Sequence, residues 1–254
     1  AEQLGTGHAV MQAAEYIKSA PGSVVVLNGD TPLIKAETIK KAIEYHEAQG
    51  NSATVITAEF EDATGYGRIV RGEDGSVLRI VEQKDASEEE KKIREINSGM
   101  YVFNGTELAW ALDKLTPNNA QGEYYLTDTL AILRGDGKKI GGYTIEDNDE
   151  IRGINNRVQL SEAETIMQSR INEGHMLNGV TIVNPSSVFI GAEVEIGRDT
   201  VIASNVTLTG STKIGSGCSV EMGCRIEDSV IEDNVSVLNS VILKSHIGEG
   251  TNVG

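Results

Sequence analysis

The tripeptide Asn28-Gly29-Asp30 follows a run of apolar and β-branched residues, 23–27, that shows no polar alternation. This pattern predicts a strand of a parallel sheet that is buried on both faces, with the tripeptide at its carboxyl end. Ligands of open α/β sheets bind at that end, where a carboxylate such as Asp30 can hold a hard divalent cation against phosphate oxygens. The alternative is a tight turn without a ligand, since Gly and Asp are ordinary turn residues.

The composition narrows the classes of ligand. The chain has 254 residues, is 39% hydrophobic and carries a net charge of −16, which is enough for one large or two ordinary domains. It has no basic stripe, which argues against binding to nucleic acid or to anionic membranes. With no apolar run of membrane-spanning length, no signal peptide and two cysteines, we expect a cytoplasmic protein. A phosphate ligand would need a cation to offset the acidic chain.

The ends of the chain suggest a fragment. It begins at Ala1 rather than at Met, directly before a glycine-containing loop, and it stops inside a repeating pattern at Gly254. We therefore expect residues of a longer protein beyond both ends.

Three further positions carry groups that suit a ligand. Gly5 precedes Thr6, which we expect to cap a helix over residues 7–18, and Gly67 directly precedes a predicted strand. Glycine at these points lets the backbone approach a ligand, although it could also only open a helix or relieve a bend. Asn97, at the start of a later strand, could bond a ligand or only its own turn.

The order of elements predicts the architecture of the first half. Strands alternate with helical patterns, which indicates a mostly parallel sheet covered on both faces. Asp74-Gly75 is a hairpin signal and adds an antiparallel element. We expect Asn156 to cap a longer helix that connects this half to the next.

The second half of the chain repeats itself every six residues. This hexapeptide pattern predicts a parallel β-helix whose three six-residue sides make a coil of about 18 residues. The frame slips by one residue and resumes at Ile231 and Val237, and it resumes again at Ile247 and Val253. Cys218 and Cys224 occupy the small inward position, so we expect buried packing residues rather than reactive thiols. The repeat consists of aliphatic Ile190, Ile196, Ile202, Leu208, Ile214, Val220 and Ile226, each followed four places later by Val194, Thr200, Val206, Thr212, Cys218, Cys224 and Val230.

Seven motifs in the first 157 residues occur together in the order of a known bacterial family. The chain resembles the bifunctional N-acetylglucosamine-1-phosphate uridyltransferase/glucosamine-1-phosphate N-acetyltransferase family, in which a connector helix and a hexapeptide array also follow. Each motif alone would be a weak signal, whereas the set is specific. The motifs occupy residues 1–9, 28–30 with 32–34, 65–68, 81–86, 95–99, 119–125 and 155–157.

The resemblance implies a fold, a reaction and a metal. The reaction is transfer of UMP from UTP to N-acetylglucosamine 1-phosphate, giving UDP-N-acetylglucosamine and pyrophosphate for cell-wall precursors. It implies Mg²⁺ held by Asp30 and Asn155, with Asp30 as the catalytic residue. Asn28 and Gly29 belong to the implied substrate site, although this tripeptide stands where the family usually has Tyr-Gly-Asp.

The resemblance also implies contacts to the base and to the sugar. Positions matching Gly5 and Thr6 face the uracil, and those matching Gly67, Glu82 and Asn97 bind the sugar. For the second half it implies a left-handed β-helix, an exception to the usual right-handed crossover rule, that assembles as a homotrimer.

Two parts of the family pattern are missing from this sequence. One is the N-terminal strand with the loop that cradles the triphosphate; the other is the outer coils with the acetyltransferase histidine and the acetyl-CoA groove. Acetyl-CoA is therefore an implied co-substrate of the parent protein only. Two alternatives stay open: a non-catalytic fragment that binds ligand and trimerises, and a sugar-1-phosphate nucleotidyltransferase that uses another nucleotide.

We divide the chain into three parts on these grounds. Residues 1–157 form an α/β, Rossmann-like nucleotidyltransferase domain that lacks its N-terminal part. Residues 158–178 form a connector helix, and residues 179–254 form a hexapeptide β-helix that lacks its C-terminal part.

Overall fold

The computed structural model describes residues 4–19, 22–118 and 121–254. Two compact units make up the chain, Ala1–Asn155 and Asn156–Gly254; the finer division into three parts stays a prediction. Residues 1–3 of the first motif and 119–120 of the sixth lie outside the described residues. No described helix combines the length and the apolar character needed to span a membrane.

The first unit is built on a six-stranded sheet in which four strands share one direction. Strands β1, β2, β3 and β6 run one way, and β4 and β5 run the other way. The prediction of a mostly parallel sheet is confirmed for strand direction, although β5 pairs antiparallel with each of its neighbours. The sheet order is β4-β3-β5-β2-β6, with β1 also on β5. The strands are β1 Ser23–Val26, β2 Ala53–Glu59, β3 Arg68–Arg71, β4 Val77–Val81, β5 Glu95–Asn104 and β6 Ile140–Thr144.

Strand β1 is shorter and less buried than its sequence predicts. It ends at Val26, and all four residues are only half-buried. In the described part of the chain β1 pairs only with β5, so one of its edges lacks the cover of a second strand. The prediction of a strand buried on both faces is wrong for this reason.

One edge of β5 is shared by β1 and β3, and the gap between them creates a cavity. Val26, the last residue of β1, pairs with Tyr101, whereas Arg68, the first residue of β3, pairs with Ile96. Residues 98–100 of β5 therefore pair with neither strand on this side. The chain that leaves β1 carries Asn28-Gly29-Asp30 into this gap.

The helices cover the two faces of the sheet and bury separate apolar clusters there. The predicted helix over 7–18 is two helices, because Gln12 and Ala13 form a turn. Short 3₁₀ turns lie at Glu90–Lys92 and Asn148–Ile151. The helices are α1 Thr6–Met11, α2 Ala14–Ser19, α3 Ala36–Gln49, α4 Gly105–Leu112 and α5 Asp128–Gly135.

The second unit begins with helix α6, Arg157–Leu177. As predicted, Asn156 caps it: the side-chain oxygen accepts from the backbone N–H groups of Val158 and Gln159, both at 3.0 Å. This satisfies two of the N–H groups that have no partner within a helix.

Short parallel strands then stack in three sheets of five, four and four strands. This β-solenoid of a little over four coils is consistent with a left-handed β-helix. A 3₁₀ turn, Pro185–Ser187, precedes the second strand. The strands are β7 Thr181–Ile182, β8 Phe189–Ile190, β9 Glu195–Ile196, β10 Val201–Ile202, β11 Thr207–Thr209, β12 Lys213–Ile214, β13 Ser219–Val220, β14 Arg225–Glu227, β15 Val230–Ile231, β16 Ser236–Val237, β17 Val241–Leu243, β18 His246–Ile247 and β19 Asn252–Val253.

The predicted frame slip is visible in the strand register, where Ile214 pairs with Ile231 and Ile231 with Ile247. The same register shows that the predicted inward orientation of one residue of the repeat is wrong. Val230 points outward and is 42% exposed, and Ser229 takes the inward position instead, because the slip moves the frame back by one residue. Cys218 and Cys224 are free and buried inside the solenoid, as expected.

Candidate active site

The gap along β5 opens into a cavity of about 1220 Å³ in the first unit. Six of the residues predicted for the site line it, and Gly5, Gly67 and Asn155 do not. The lining members are Thr6, Asn28, Gly29, Asp30, Glu82 and Asn97.

Asn155 lies near Asp30, although only Asp30 lines the cavity. A methyl group on Gly153 would lie 3.5 Å from Asp30 Oδ2 and 3.7 Å from Asn155 Nδ2, so these two atoms are no more than about 7 Å apart. Both side chains are exposed. A carboxylate and an amide from distant parts of the sequence therefore share one small volume.

Two tethers bring the segment that carries Asn155 against the segment that follows Asp30. The N–H of Ile154 donates to the carbonyl oxygen of Asp30 at 2.8 Å. The carboxylate of Glu150, which is 3% exposed, accepts from the backbone N–H of Lys35 at 3.0 Å and lies 3.5 Å from Lys35 Nζ. A buried carboxylate held by a backbone donor and a cation is a rigid link, so Glu150 positions both halves of the pair.

A carboxylate and an amide suit Mg²⁺, which takes further ligands from substrate and water. They are too few for a metal whose ligands all come from the protein. No cluster of three or more His, Cys, Asp or Glu side chains that could hold a metal occurs among the described residues. Mg²⁺ is commonly held by one or two carboxylates together with substrate phosphates and water. Asp30 and Asn155 fit that donor set.

Glu82 also lines the cavity and comes directly after β4. A methyl group on Gly67 would lie 3.3 Å from Glu82 Oε1. Gly67 is buried and does not line the cavity, so its contribution is the space that its missing side chain leaves for the carboxylate. The Glu82 carboxylate has no hydrogen bond or ion pair to another described residue, which leaves both of its oxygens able to accept from hydroxyl groups of a ligand.

Asn97 lies on β5, lines the same cavity and has a fixed amide orientation. Its Oδ1 accepts from the N–H of Gly99 at 3.0 Å and from the hydroxyl of Tyr101 at 3.2 Å. Because a backbone N–H can only donate, the atom that it contacts must be the amide oxygen. The Nδ2 group of Asn97 is left as a donor.

Asn28 helps to hold the backbone segments that shape the cavity. Its Nδ2 donates to the carbonyl oxygen of Ser98 at 3.1 Å, and a methyl group on Gly99 would lie only 2.6 Å from the same Nδ2. Gly99 has φ +79°, a conformation that strains a residue with a side chain. Asn28 thus ties the end of β1 to the irregular part of β5, and Gly29 next to it is exposed in the cavity.

Thr6 lines the cavity at the base of α1, but it does not cap that helix. It is the first helical residue, Gly5 holds the cap position, and Thr6 Oγ1 accepts from the N–H of Leu126 at 3.1 Å. Gly5 has φ +97°, and a methyl group there would lie 2.6 Å from the carbonyl oxygen of Tyr124. Gly5 is therefore required for close packing against the 123–126 segment.

The lining charges favour a bound cation together with a phosphate ligand. Acidic side chains outnumber basic ones: Asp30, Glu82, Asp85 and Asp128 face Arg79 and Lys84. Arg79 forms an ion pair with Glu90. Lys84 has no carboxylate partner among the described residues, so it is available to a phosphate.

Sequence reasoning missed several lining residues. Three of them, Gln83, Lys84 and Tyr125, lie inside matched motifs, so the signal was present although none was singled out. Tyr101 gives no such signal, because a tyrosine inside an apolar strand is typical of a core position. The missed lining residues include Arg79, Gln83, Lys84, Tyr101, Tyr125, Thr127 and Asp128.

Comparisons with known proteins give a matching family and several similar relatives. The sequence model of a family described as Nucleotidyl transferase matches residues 1–149. Three relatives, each named Bifunctional protein GlmU, match nearly all of the chain. They come from Acetivibrio thermocellus (56% identity over 253 residues), Caldanaerobacter subterraneus subsp. tengcongensis (54% over 252) and Clostridium novyi (51% over 253).

These matches cover 99–100% of this chain and 55% of each relative. The chain thus spans about half the length of the curated relatives it matches. The resemblance to a bifunctional family is confirmed by the same relatives.

Proposed function

Because this chain belongs to the nucleotidyl transferase family, we propose that it carries the site that transfers UMP from UTP to N-acetylglucosamine 1-phosphate. The products are UDP-N-acetylglucosamine and pyrophosphate. The observation that carries this proposal is the proximity of Asn155 to Asp30, which lines the same cavity as Glu82 and Asn97. The arrangement supplies a candidate cation-binding pair beside a cavity whose carboxylate and amide groups suit the hydroxyl groups of a sugar.

The reaction needs positioning more than it needs a protein nucleophile. A phosphate oxygen of the sugar phosphate forms a bond to the α-phosphorus of UTP, and the bond from that phosphorus to the bridging oxygen breaks to release pyrophosphate. The attacking oxygen is already ionised at neutral pH, so no side chain must remove a proton. Residues of the cavity contribute by aligning two anions that repel each other.

Asp30 and Asn155 are the proposed ligands of Mg²⁺. When bound, Mg²⁺ supplies the positive charge that lets two phosphate groups approach and that stabilises the leaving pyrophosphate. The tether through Glu150 keeps the two ligands together, and Lys84 adds a cation within the same cavity.

Glu82 and Asn97 are the proposed sugar contacts. The carboxylate accepts from sugar hydroxyl groups, and the amide Nδ2 donates to an acceptor on the sugar. We place the uracil near Thr6, on the other side of the cavity. Gly67 would act through the space that it leaves for Glu82, and Gly5 through its close packing against the 123–126 segment.

For the whole protein we propose a second activity and an assembly. Acetylation of glucosamine 1-phosphate by acetyl-CoA fits relatives that are called bifunctional and are nearly twice as long. A homotrimer through the β-solenoid fits the exposed apolar side chains on one of its sheets, Phe189, Val241 and Leu243. A cytoplasmic location fits two cysteines that are both free.

Pyrophosphate release tests the proposal. The protein expressed from its complete gene would be mixed with N-acetylglucosamine 1-phosphate, Mg²⁺ and either UTP, ATP, GTP or dTTP. We expect release with UTP and at least about 10²-fold less with the other nucleotides. Preference for another nucleotide would point to a different sugar nucleotidyltransferase, and no release with any nucleotide would reject the enzymatic function.

A further inference from the structure

Four amide side chains line the cavity, those of Asn28, Gln83, Asn97 and Gln121. In Asn97 and Gln83 an internal donor occupies the oxygen. Asn97 Oδ1 accepts from Gly99 N–H and from the Tyr101 hydroxyl, and Gln83 Oε1 accepts from an Arg68 N–H at 2.6 Å. In both cases the NH₂ group has no partner among the described residues. At these two positions donors of the protein itself occupy the amide oxygen, and the amide N–H groups are left for a ligand.

Tyr101 is the less expected of these donors. It is 2% exposed and lies on β5 between Met100 and Val102, which are fully buried apolar residues. A phenylalanine would fill the same volume without a polar atom, as Phe103 does two positions later. A buried hydroxyl costs free energy unless it is hydrogen-bonded, and here its bond goes to a side chain of the cavity.

The Tyr101 hydroxyl remains a donor over the whole physiological pH range. Burial, with a smaller contribution from the negative charge of Glu82, raises the pKa of Tyr101 to about 12. The proton is thus retained, and the hydroxyl can donate to Asn97 Oδ1, the atom that the Gly99 N–H identifies as the amide oxygen.

We propose that Tyr101 is a positioning residue for substrate selection, because it locks the Asn97 amide so that Nδ2 faces the ligand as a hydrogen-bond donor. The ligand selected in this way carries an acceptor oxygen, of a carbonyl or hydroxyl group, at the sugar end of the cavity. This inference rests on the proposed function and deepens it. A ligand with only a donor at that point would meet the two N–H groups of Asn97 and lose a hydrogen bond.

A double-mutant cycle separates this role from simple packing. Tyr101→Phe, Asn97→Ala and the double variant would be made in the protein expressed from its complete gene. For each, KM and kcat for N-acetylglucosamine 1-phosphate would be measured, together with its Kd by calorimetry. Tyr143→Phe, which removes a hydroxyl from β6 of the same sheet but not from the cavity, is the matched control.

We expect Tyr101→Phe to raise KM and Kd about threefold to tenfold, the effect of one lost hydrogen bond, with kcat changed less than twofold. In the Asn97→Ala background the same change should have no further effect, because Tyr101 acts through Asn97. The effect should also be the same from pH 6 to pH 9. Tyr143→Phe should behave as the unmodified protein.

Several outcomes would overturn the inference. They are an unchanged KM in Tyr101→Phe, an equal loss in both backgrounds, or a loss that parallels a lowered unfolding temperature and also lowers kcat. If the unmodified protein released no pyrophosphate, the proposed function would fail first. An active protein with an unaffected Tyr101→Phe variant would reject only the role of Tyr101.

Discussion

The two units of the chain bring residues together in opposite ways. In the solenoid each inward residue lies beside its counterpart one coil away, as Ile202 does beside Val220. In the first unit the fold brings Asp30, near the beginning of the unit, close to Asn155 at its end. The solenoid is thus assembled from neighbouring repeats, whereas the site exists only when distant segments meet.

This difference predicts two separate kinds of mutational effect. A solenoid side chain such as Leu208 contributes packing that neighbouring coils share, so its loss should lower stability without a direct effect on chemistry. A cavity side chain such as Asp30 is exposed and contributes little packing, so its loss should remove chemistry and leave the fold intact. The predictions below test this separation, from the largest expected effect to the smallest.

Asp30→Ala should produce the largest loss. We expect turnover with UTP to fall by at least about 10³-fold, because a lost cation ligand leaves phosphate repulsion uncompensated. The unfolding temperature should stay within about 2 °C, since the carboxylate is exposed. Steady-state kinetics and thermal unfolding measure both. Asp113→Ala, at the exposed end of α4, is the control; equal loss in both variants would argue against a specific role for Asp30.

Leu208→Ala should act on stability alone. Leu208 is fully buried in the solenoid, and truncation of such a side chain costs about 2–5 kcal/mol. Denaturant unfolding measures this cost, with Met222→Ala as a control, since Met222 is 56% exposed. Turnover per folded molecule should be unchanged. A selective loss of uridyl transfer would break the proposed separation between the units.

Glu150→Ala should weaken metal binding without removing a ligand. The variant loses the acceptor for Lys35 N–H and leaves the 147–155 segment less firmly held. Loss of a group that orients metal ligands typically lowers metal affinity about 10- to 100-fold. Mn²⁺ titration calorimetry measures the change directly. Glu150→Gln keeps an oxygen acceptor and should lose less; equal Mn²⁺ affinity in all three proteins would contradict the tether.

Gly67→Ala should give the smallest effect of the series. The added methyl group would lie 3.3 Å from Glu82 Oε1 and 3.0 Å from Ile80 Cγ2, so the carboxylate must shift. We expect KM for the sugar phosphate to rise about threefold to tenfold, with a small change in kcat. Gly135→Ala, which meets nothing within 4 Å, is the control. An unaltered KM in Gly67→Ala would show that the position of Glu82 is not critical.

The same contrast explains what the sequence could predict. The hexapeptide period predicted the solenoid, its frame slip and its buried cysteines, because each position depends only on local repeats. The helix cap at Asn156 was predictable for the same reason. One prediction, the inward placement of Val230, was wrong. The frame had already slipped by one residue at this point, so Ser229 rather than Val230 faces inward.

The contacts within the first unit were harder to predict from the sequence. The burial of β1 depends on whether a second strand covers its free edge, and Thr6 is bonded by Leu126, which is far away in the chain. Tyr101 looks like a core residue until its hydroxyl is seen on Asn97. For the pair Asp30 and Asn155, only the family resemblance suggested a meeting, because no local pattern links them.

The most direct test of the cation site is a diffraction measurement at the manganese absorption edge. Crystals of the protein would be soaked with Mn²⁺ and UDP-N-acetylglucosamine. We expect an anomalous peak within coordination distance, about 2.0–2.3 Å, of side-chain oxygens of both Asp30 and Asn155. A single strong peak elsewhere in the cavity, with neither residue as a ligand, would contradict the proposed mechanism.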